Sequence, residues 1–436
     1  MPSRNSPFLA LLGKELRELW TSRAWWIFLF LFGPLTGLSF ISAVETYAEV
    51  SVGGGEAFTP LIGIWAPAFS ACEIAAAFLL PFVAIRLVSS DRLSGALKLE
   101  SQHSLSPEVR LIAKYLALLG GWLIAMLAPF ISIALWHLYG GAIYAPEVFA
   151  VALGHLLNAS LTIALAIAAA SMAENPSTAA IATLAVTIGT WVLTFVAAIH
   201  GGTWQQLAAY TPTAFVAQFQ HALVSLNLLL LALALIAAGF LISATWLRIG
   251  APARERVLRT GVILIALVII AFGSSKAHAS WDLSEARLNS FPSADERALR
   301  AIGKPLSISI RLAPEDPRRQ DFERNVLTKL RRTLPRLAVT YTSSSSTGLF
   351  EQSSPRYGEI TYGSRGREVT TRATTAESAL ESIYRVTNTA PPAEDNGPEF
   401  RGHPLQAHPR FAPLIFYGAW PLACALLCWQ SLRRPE

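Results

Sequence analysis

Eight times along this chain, about twenty residues pass with almost no charge, at 25–43, 60–85, 116–139, 148–172, 178–199, 223–247, 257–274 and 412–432. A helix needs roughly 20 apolar residues to cross about 30 Å of hydrocarbon. In that solvent every backbone amide must be satisfied within its own helix or a closed barrel, so runs of this length predict membrane-spanning helices. Composition agrees: 53% of the 436 residues are hydrophobic and 15% are charged, where a soluble domain carries about 25%. The charges are also segregated, with 20 Lys/Arg and 16 Asp/Glu falling in residues 275–410. The expected fold is a mainly α polytopic membrane protein of about eight transmembrane helices, with a small α/β domain between the last two.

Basic residues orient the bundle, because cytoplasmic loops concentrate Lys and Arg. With the N-terminus inside, the inner segments hold fifteen basic residues, including Lys14, Arg17, Arg86, Arg92, Lys98, Lys114 and Arg248. The outer loops 44–59, 140–147 and 200–222 hold none. Both termini are therefore expected in the cytoplasm and residues 275–410 outside it. The seventh run, "RERVLRTGVILIALVIIAFGSSKAHASWD", has a basic start, a short apolar core and an Ala277-His278-Ala279 tail, like a signal peptide with a small-residue cleavage site. Because a further apolar run follows the domain, a retained signal anchor is expected. Cys72, Cys424 and Cys428 all lie in apolar runs, so the exported domain contains no thiol for a disulfide.

In that domain "PLSISIRL" (305–312) alternates like a strand. "RQDFERNVLTKLRRTL" (319–334) places Phe322, Val326, Leu327, Leu330 and Leu334 at helical spacing, and "RLAVTYT" (336–342) is a second strand, which together predict a βαβ unit. A hairpin is expected over 356–372, turning at Gly363-Ser364-Arg365-Gly366, and then a helix over 374–388 with a capping box of Thr374 and Glu377.

The chain has no GxxxxGK[ST] phosphate loop, no HExxH, no CxxC and no GxSxG, so neither nucleotide hydrolysis nor other catalysis is expected on it. His403 and His408 sit in a Pro-rich return segment and read as solvent-exposed. No metal or cofactor is expected on the chain, and no nucleic-acid partner. Two polar features call for an explanation. Glu73, deep in the second run, costs free energy unless it faces a cavity or a partner; it reads either as a pathway or proton-linked site, or as a protonated acid bonded to His155 or Asn158. The stretch "RLVSSDRLSGALKLESQHSLSPEVRLIAKY" (86–115) packs nine ionisable residues between two apolar runs. Ahead of them, "SPFLALLGKELRELW" (6–20) sets Leu12 and Leu16 on one face and Lys14, Glu15, Arg17 and Glu18 on the other, as in a helix lying on a membrane surface or one packed on a partner.

These residues resemble a known family. "KELRELW", the run "LLPFVAIRLVSSDRLSGALKLES" and the lysine opening "IAKYLALLGGW" are similar to permease subunits of type-2 ABC exporters of the GldF class, with Pro81, Arg86, Asp91, Arg92, Gly95, Leu97, Leu99 and Lys114 matching. Ala96 and Lys98 depart from the usual threonine and glutamate. "YTPTAFVAQFQHALVSLNLLLL" (210–231) resembles the loop into that family's sixth span. "WDLSEARLNSFPSADERALRAIGKPLSISIRL" (281–312) and residues 357–388 resemble the anchored GldG partner, in shortened form. The resemblance implies a surface helix (1–24), a six-helix permease (25–250), an anchor (251–274), an extracytoplasmic GldG-like domain (275–388), a tether (389–411) and a last span with a cytoplasmic tail (412–436). It implies the multi-pass transport subunit of an exporter in a bacterial inner membrane, with ATP and Mg bound by a separate cytoplasmic ABC ATPase. The chain would pair with a second copy or a related permease, and an envelope protein could meet the exported domain. Arg86, Asp91, Arg92, Gly95, Leu97, Lys98 and Leu99 would form the ATPase-coupling loop. A membrane-anchored sensor or scaffold independent of an ATPase is the alternative.

Overall fold

The computed structural model describes residues 7–52, 59–93, 106–200, 202–248, 250–277, 279–313, 316–334, 336–342, 355–393, 403, 405 and 408–433. Among the described residues, eight helices are long and apolar enough to cross a membrane: Arg23–Ser51, Leu61–Asp91, Pro107–Leu138, Ala145–Met172, Pro176–Ala197, Leu226–Trp246, Ala253–Ser274 and Leu414–Arg433. The chain is a multi-pass membrane protein. All eight expected spans are present, and their ends carry the corrections. The second reaches Asp91 rather than residue 85 and the third begins at Pro107 rather than 116, so most of the polar stretch 86–115 is helical. Ser106 caps the third span, its Oγ accepting from the Val109 amide at 3.4 Å, and Pro107 occupies the first helical position, where its missing N–H costs nothing.

The chain forms two compact units, Met1–Leu283 with Gly402–Glu436, and Ser284–Arg401. In the membrane unit the N-terminal helix α1 (Pro7–Thr21) packs mainly on the third span. Between the fifth and sixth spans lie two short helices, α2 (Gly202–Ala208) and α3 (Pro212–Gln220), where the sequence suggested only a loop. The second span widens into π turns at Leu61–Trp65 and Ala75–Leu79. These irregular turns stand near Pro67 and Pro81, which cannot donate a helical hydrogen bond.

The eighth span lies against the first through two glycines one turn apart. A Cβ at Gly33 would collide with the Trp420 indole, and one at Gly37 with Phe416. This is the small-xxx-small packing by which membrane helices approach closely, and Trp420 Nε1 adds a hydrogen bond to the Leu29 carbonyl at 2.8 Å.

Strand β1 (Leu223–Ser225), just ahead of the sixth span, pairs antiparallel with β2 (Ser280–Asp282), just after the seventh. The ribbon is extended by Leu226 N to Ala279 O and Leu283 N to Ala222 O, both 2.9 Å. At the other end of the same helix pair Trp246 Nε1 donates to Thr260 Oγ1 at 3.0 Å. The seventh helix is thus tied to the sixth at both ends.

The second unit contains helix α4 (Ser293–Ala301), strand β3 (Leu306–Ile310), helix α5, strand β4 (Leu337–Tyr341), the hairpin β5 (Ile360–Ser364) and β6 (Arg367–Thr371), and helix α6 (Ala376–Thr387). Helix α5 runs through Pro317–Phe322, a π turn at Glu323–Leu327 and Thr328–Thr333. The sheet order is β4-β3-β5-β6. β3 and β4 are parallel and joined by α5, which is the expected βαβ unit. All five apolar residues expected on α5, Phe322, Val326, Leu327, Leu330 and Leu334, are buried against Ile308, Ile310, Ile360 and Tyr362. Two local expectations need correction. The hairpin turns on Arg365 and Gly366 alone, both at positive φ (48° and 81°), the backbone that a two-residue loop requires to match strand twist. Helix α6 is capped by Thr375, whose side chain accepts from the Ser378 amide at 3.4 Å, not by Thr374.

Gly37→Leu should force the first and eighth spans apart and destabilise the solubilised protein by about 1–3 kcal/mol, the usual cost of overpacking. Gly418→Leu, where an added Cβ meets nothing within 4 Å, should leave the thermal midpoint near that of the parent. Thermal unfolding in detergent checks both.

Candidate functional site

A buried polar cluster is built from three helices. Glu15 projects from α1, Asp91 ends the second span and Lys114 lies two turns into the third. Lys114 Nζ stands 2.7 Å from Glu15 Oε2 and 2.5 Å from Asp91 Oδ2, and 3.4 Å from the Leu87 carbonyl. All three side chains are out of solvent, with Glu15, Asp91 and Lys114 exposing 1%, 3% and 5% of their surface. Lys14, half exposed, comes within 3.9 Å of both carboxylates. One turn along α1, Glu18 Oε1 accepts from Ser90 Oγ at 2.6 Å. The closeness of α1 to the third span requires a residue without a side chain at Gly121, where a Cβ would stand 2.8 Å from Leu19 and 3.1 Å from Trp25.

Burial raises the Glu15 carboxyl above its ordinary range, and Lys114 pulls the other way. Between the ordinary and the raised value the folded chain holds a proton that the unfolded chain releases. This contribution to stability is complete below the ordinary glutamate range and declines as pH rises through the raised value.

One sequence expectation changes here. Glu15 is not on a solvent-facing polar face; the acidic side of α1 is turned into the bundle. Asp91, expected in the coupling loop, is held in the interior beside Lys114. Arg86 is exposed and borders a cleft of about 330 Å³ with Phe82, Ser89 and, across it, Pro176 and Ser177. The Arg92 side chain and Gly95, Leu97, Lys98 and Leu99 lie outside the described residues.

Glu73 has a partner, but neither of the two expected. Gln220, the last residue of α3, donates from Nε2 to Glu73 Oε1. Asn158 lines a cavity of about 40 Å³ with Glu73, Thr162, Thr187, Thr190 and Thr213, enough for a water molecule or two. His155 instead stacks on Phe69 with ring centroids 5.5 Å apart. Helix α3 is fixed at its start by Thr211, which accepts from the Ala214 amide, and near its end by Ser225 Oγ donating to Gln218 Oε1 at 2.7 Å. Among the described residues no group of three or more His, Cys, Asp or Glu side chains could hold a metal ion.

Comparison with protein-family models, with curated proteins and with solved structures finds no match for this chain.

Sequence reasoning missed Glu15 and Gln220 as partners. A signal existed for the first: a lysine two turns inside an apolar helix needs an anion, and "KELRE" carries two acids on one amphipathic helix. Gln220 lay in a segment expected to be a loop, so nothing marked it as reaching bilayer depth. Lys114→Met should destabilise the protein by about 3–5 kcal/mol, because it leaves buried carboxylates uncompensated. Adding Glu15→Gln and Asp91→Asn should recover most of that loss, as read from thermal or denaturant unfolding in detergent.

Proposed function

We propose that this chain is the membrane-spanning permease subunit of an ATP-driven exporter or envelope machine, driven by a separate cytoplasmic ATPase that docks on residues 86–105. The observation that carries the reading is the buried Glu15–Lys114–Asp91 cluster. It ties α1 to the roots of the second and third spans, which are the two ends of the connecting loop. A push on that loop from an ATPase closing on ATP therefore meets a braced block and reaches two spans together. Without the brace, the energy would go into bending a loop. No phosphate loop occurs in the sequence, so the nucleotide and its magnesium belong to the partner.

The resemblance of residues 86–115 to the first inner loop of GldF-class permeases supports the same assignment. Two ATP sites require two permease chains, hence a homodimer or a pairing with a related permease. The fifth span is only 11% buried, which leaves an apolar face for lipid or for that second chain. In this reading the end bearing α1 is cytoplasmic, and the second unit lies on the opposite side of an inner membrane. There it meets an envelope component. The β1–β2 ribbon supports a retained seventh span, since Ala279 and Ser280, on either side of the signal-like cleavage point, are engaged in strand pairing.

The docking surface then centres on Arg86, Arg92 and the loop 94–105, with Asp91 bracing it from beneath. Arg92→Glu or Gly95→Trp should release the ATPase, or uncouple its hydrolysis, while the spans stay inserted. Copurification from membranes and ATP turnover of the complex read this out. Unchanged copurification together with unchanged turnover would reject the permease reading and favour an ATPase-independent sensor.

A further inference from the structure

The cavity beside Glu73 is shaped by four helices. Glu73 comes from the second span, Asn158 and Thr162 from the fourth, Thr187 and Thr190 from the fifth, and Thr213 from α3. Asn158 and Thr162 lie one turn apart on one face of their helix, as do Thr187 and Thr190. Three of the hydroxyl protons are already spent. Thr187 Oγ1 donates to the Ala77 carbonyl at 3.1 Å, inside the π turn of the second span. Thr190 Oγ1 donates to the Thr187 carbonyl at 2.8 Å, so in the 3.3 Å contact between Thr213 and Thr190 the donor is Thr213. A hydroxyl has one proton and two lone pairs, and what these three oxygens have left to offer is an electron pair. The cavity therefore presents acceptors.

Glu73 adds the charge. Its Oε1 accepts from Gln220, but a neutral amide does not cancel a carboxylate, and among the described residues no lysine or arginine lines the cavity. A carboxylate at bilayer depth needs an opposite charge or a proton. A single proton would satisfy one acceptor and leave the others without a partner. A small cation takes several oxygens at once, and oxygen is the ligand that hard cations select. One carboxylate balances one positive charge, whereas a divalent ion would carry an uncompensated charge into apolar surroundings. A volume of about 40 Å³ admits a body about the size of a water molecule. We propose that this cavity binds one dehydrated monovalent cation of sodium's size, held by Glu73, Asn158 and the oxygens of Thr187, Thr190 and Thr213. The ion ties the second, fourth and fifth spans to α3, adding an ionic link where Gln220 supplies only a hydrogen bond. The proposal rests on the chain spanning a membrane and not on the permease reading, so either can fail alone.

Thermal unfolding of the full chain in detergent, compared between sodium chloride and choline chloride at equal ionic strength, tests the site, with binding of radioactive sodium as the second readout. Sodium should raise the thermal midpoint of the parent and bind once per chain. Glu73→Gln should abolish both responses. Thr213→Val removes the hydroxyl proton that fixes Thr190 and should weaken sodium binding about tenfold, the lower end of the loss when a group orienting a metal ligand is removed. Thr213→Ser should restore it. Thr194→Val, one turn beyond Thr190 and outside the cavity, should bind sodium like the parent. Each variant is compared with itself in the two salts, so a general loss of stability does not enter the reading. Equal midpoints of the parent in sodium and choline, as for a cavity holding water only, would overturn the proposal. So would a sodium response that survives Glu73→Gln, or stabilisation by acid with no difference between the salts, the behaviour of a proton alone on Glu73.

Discussion

One ammonium held between two carboxylates, beneath the surface and at the meeting of three helices, sets the geometry of this membrane unit. Bringing Lys114, Glu15 and Asp91 out of water costs several kcal/mol per ion, and their mutual attraction repays that only when the geometry is close. Such clusters contribute little net stability, but they penalise every arrangement that separates the partners. Here the alternatives excluded are those in which α1 rolls its acidic face outward or slides along the third span. Gly121 allows the approach and the ion cluster fixes the register. The ends of the second and third spans are held in place by that register.

The opposite end of the bundle is held by weaker devices acting in series. Ser225 holds Gln218, Gln220 holds Glu73, and β1 is paired with β2. The chain from the second span through α3 to β2 is therefore linked by hydrogen bonds among side chains and strands. In apolar surroundings a single unsatisfied partner costs about 1–3 kcal/mol, which makes a link such as Gln220–Glu73 specific without making it rigid. The eighth span needs no polar cluster, because Gly33 and Gly37 let Trp420 and Phe416 lie against the backbone of the first.

Much of this was legible in the sequence where one physical demand dominated. The bilayer permits few backbones, so eight apolar runs became eight helices, and the alternation of "PLSISIRL" with the helical spacing of Phe322, Val326 and Leu330 read out the βαβ unit. Boundaries blurred where charge intruded. Arg110 and Lys114 concealed the first turns of the third span, because an isolated lysine looks like a loop residue until its buried anions are known. The polar face of α1 was misread for a related reason: periodicity separates charged from apolar faces but does not say whether a charged face meets water or another charge. Gln220 and the Thr375 cap were invisible because a short polar side chain in a loop carries no periodic signal. Asp91, expected in the coupling loop, is buried against Lys114, and only the Lys114 side chain two turns into the next helix could have indicated it.

Coupling through this cluster requires that α1 and the roots of the second and third spans move as one body. Spin labels at the exposed positions Leu9 and Ile112, in the chain reconstituted with its ATPase, measure this by pulsed electron paramagnetic resonance. Trapping with ATP and vanadate should leave the Leu9 to Ile112 distance within one chain unchanged, while the distance between the two Ile112 positions of a dimer shortens. A change in the first distance with the second held constant would show that the braced block does not exist and would contradict the coupling assigned to it.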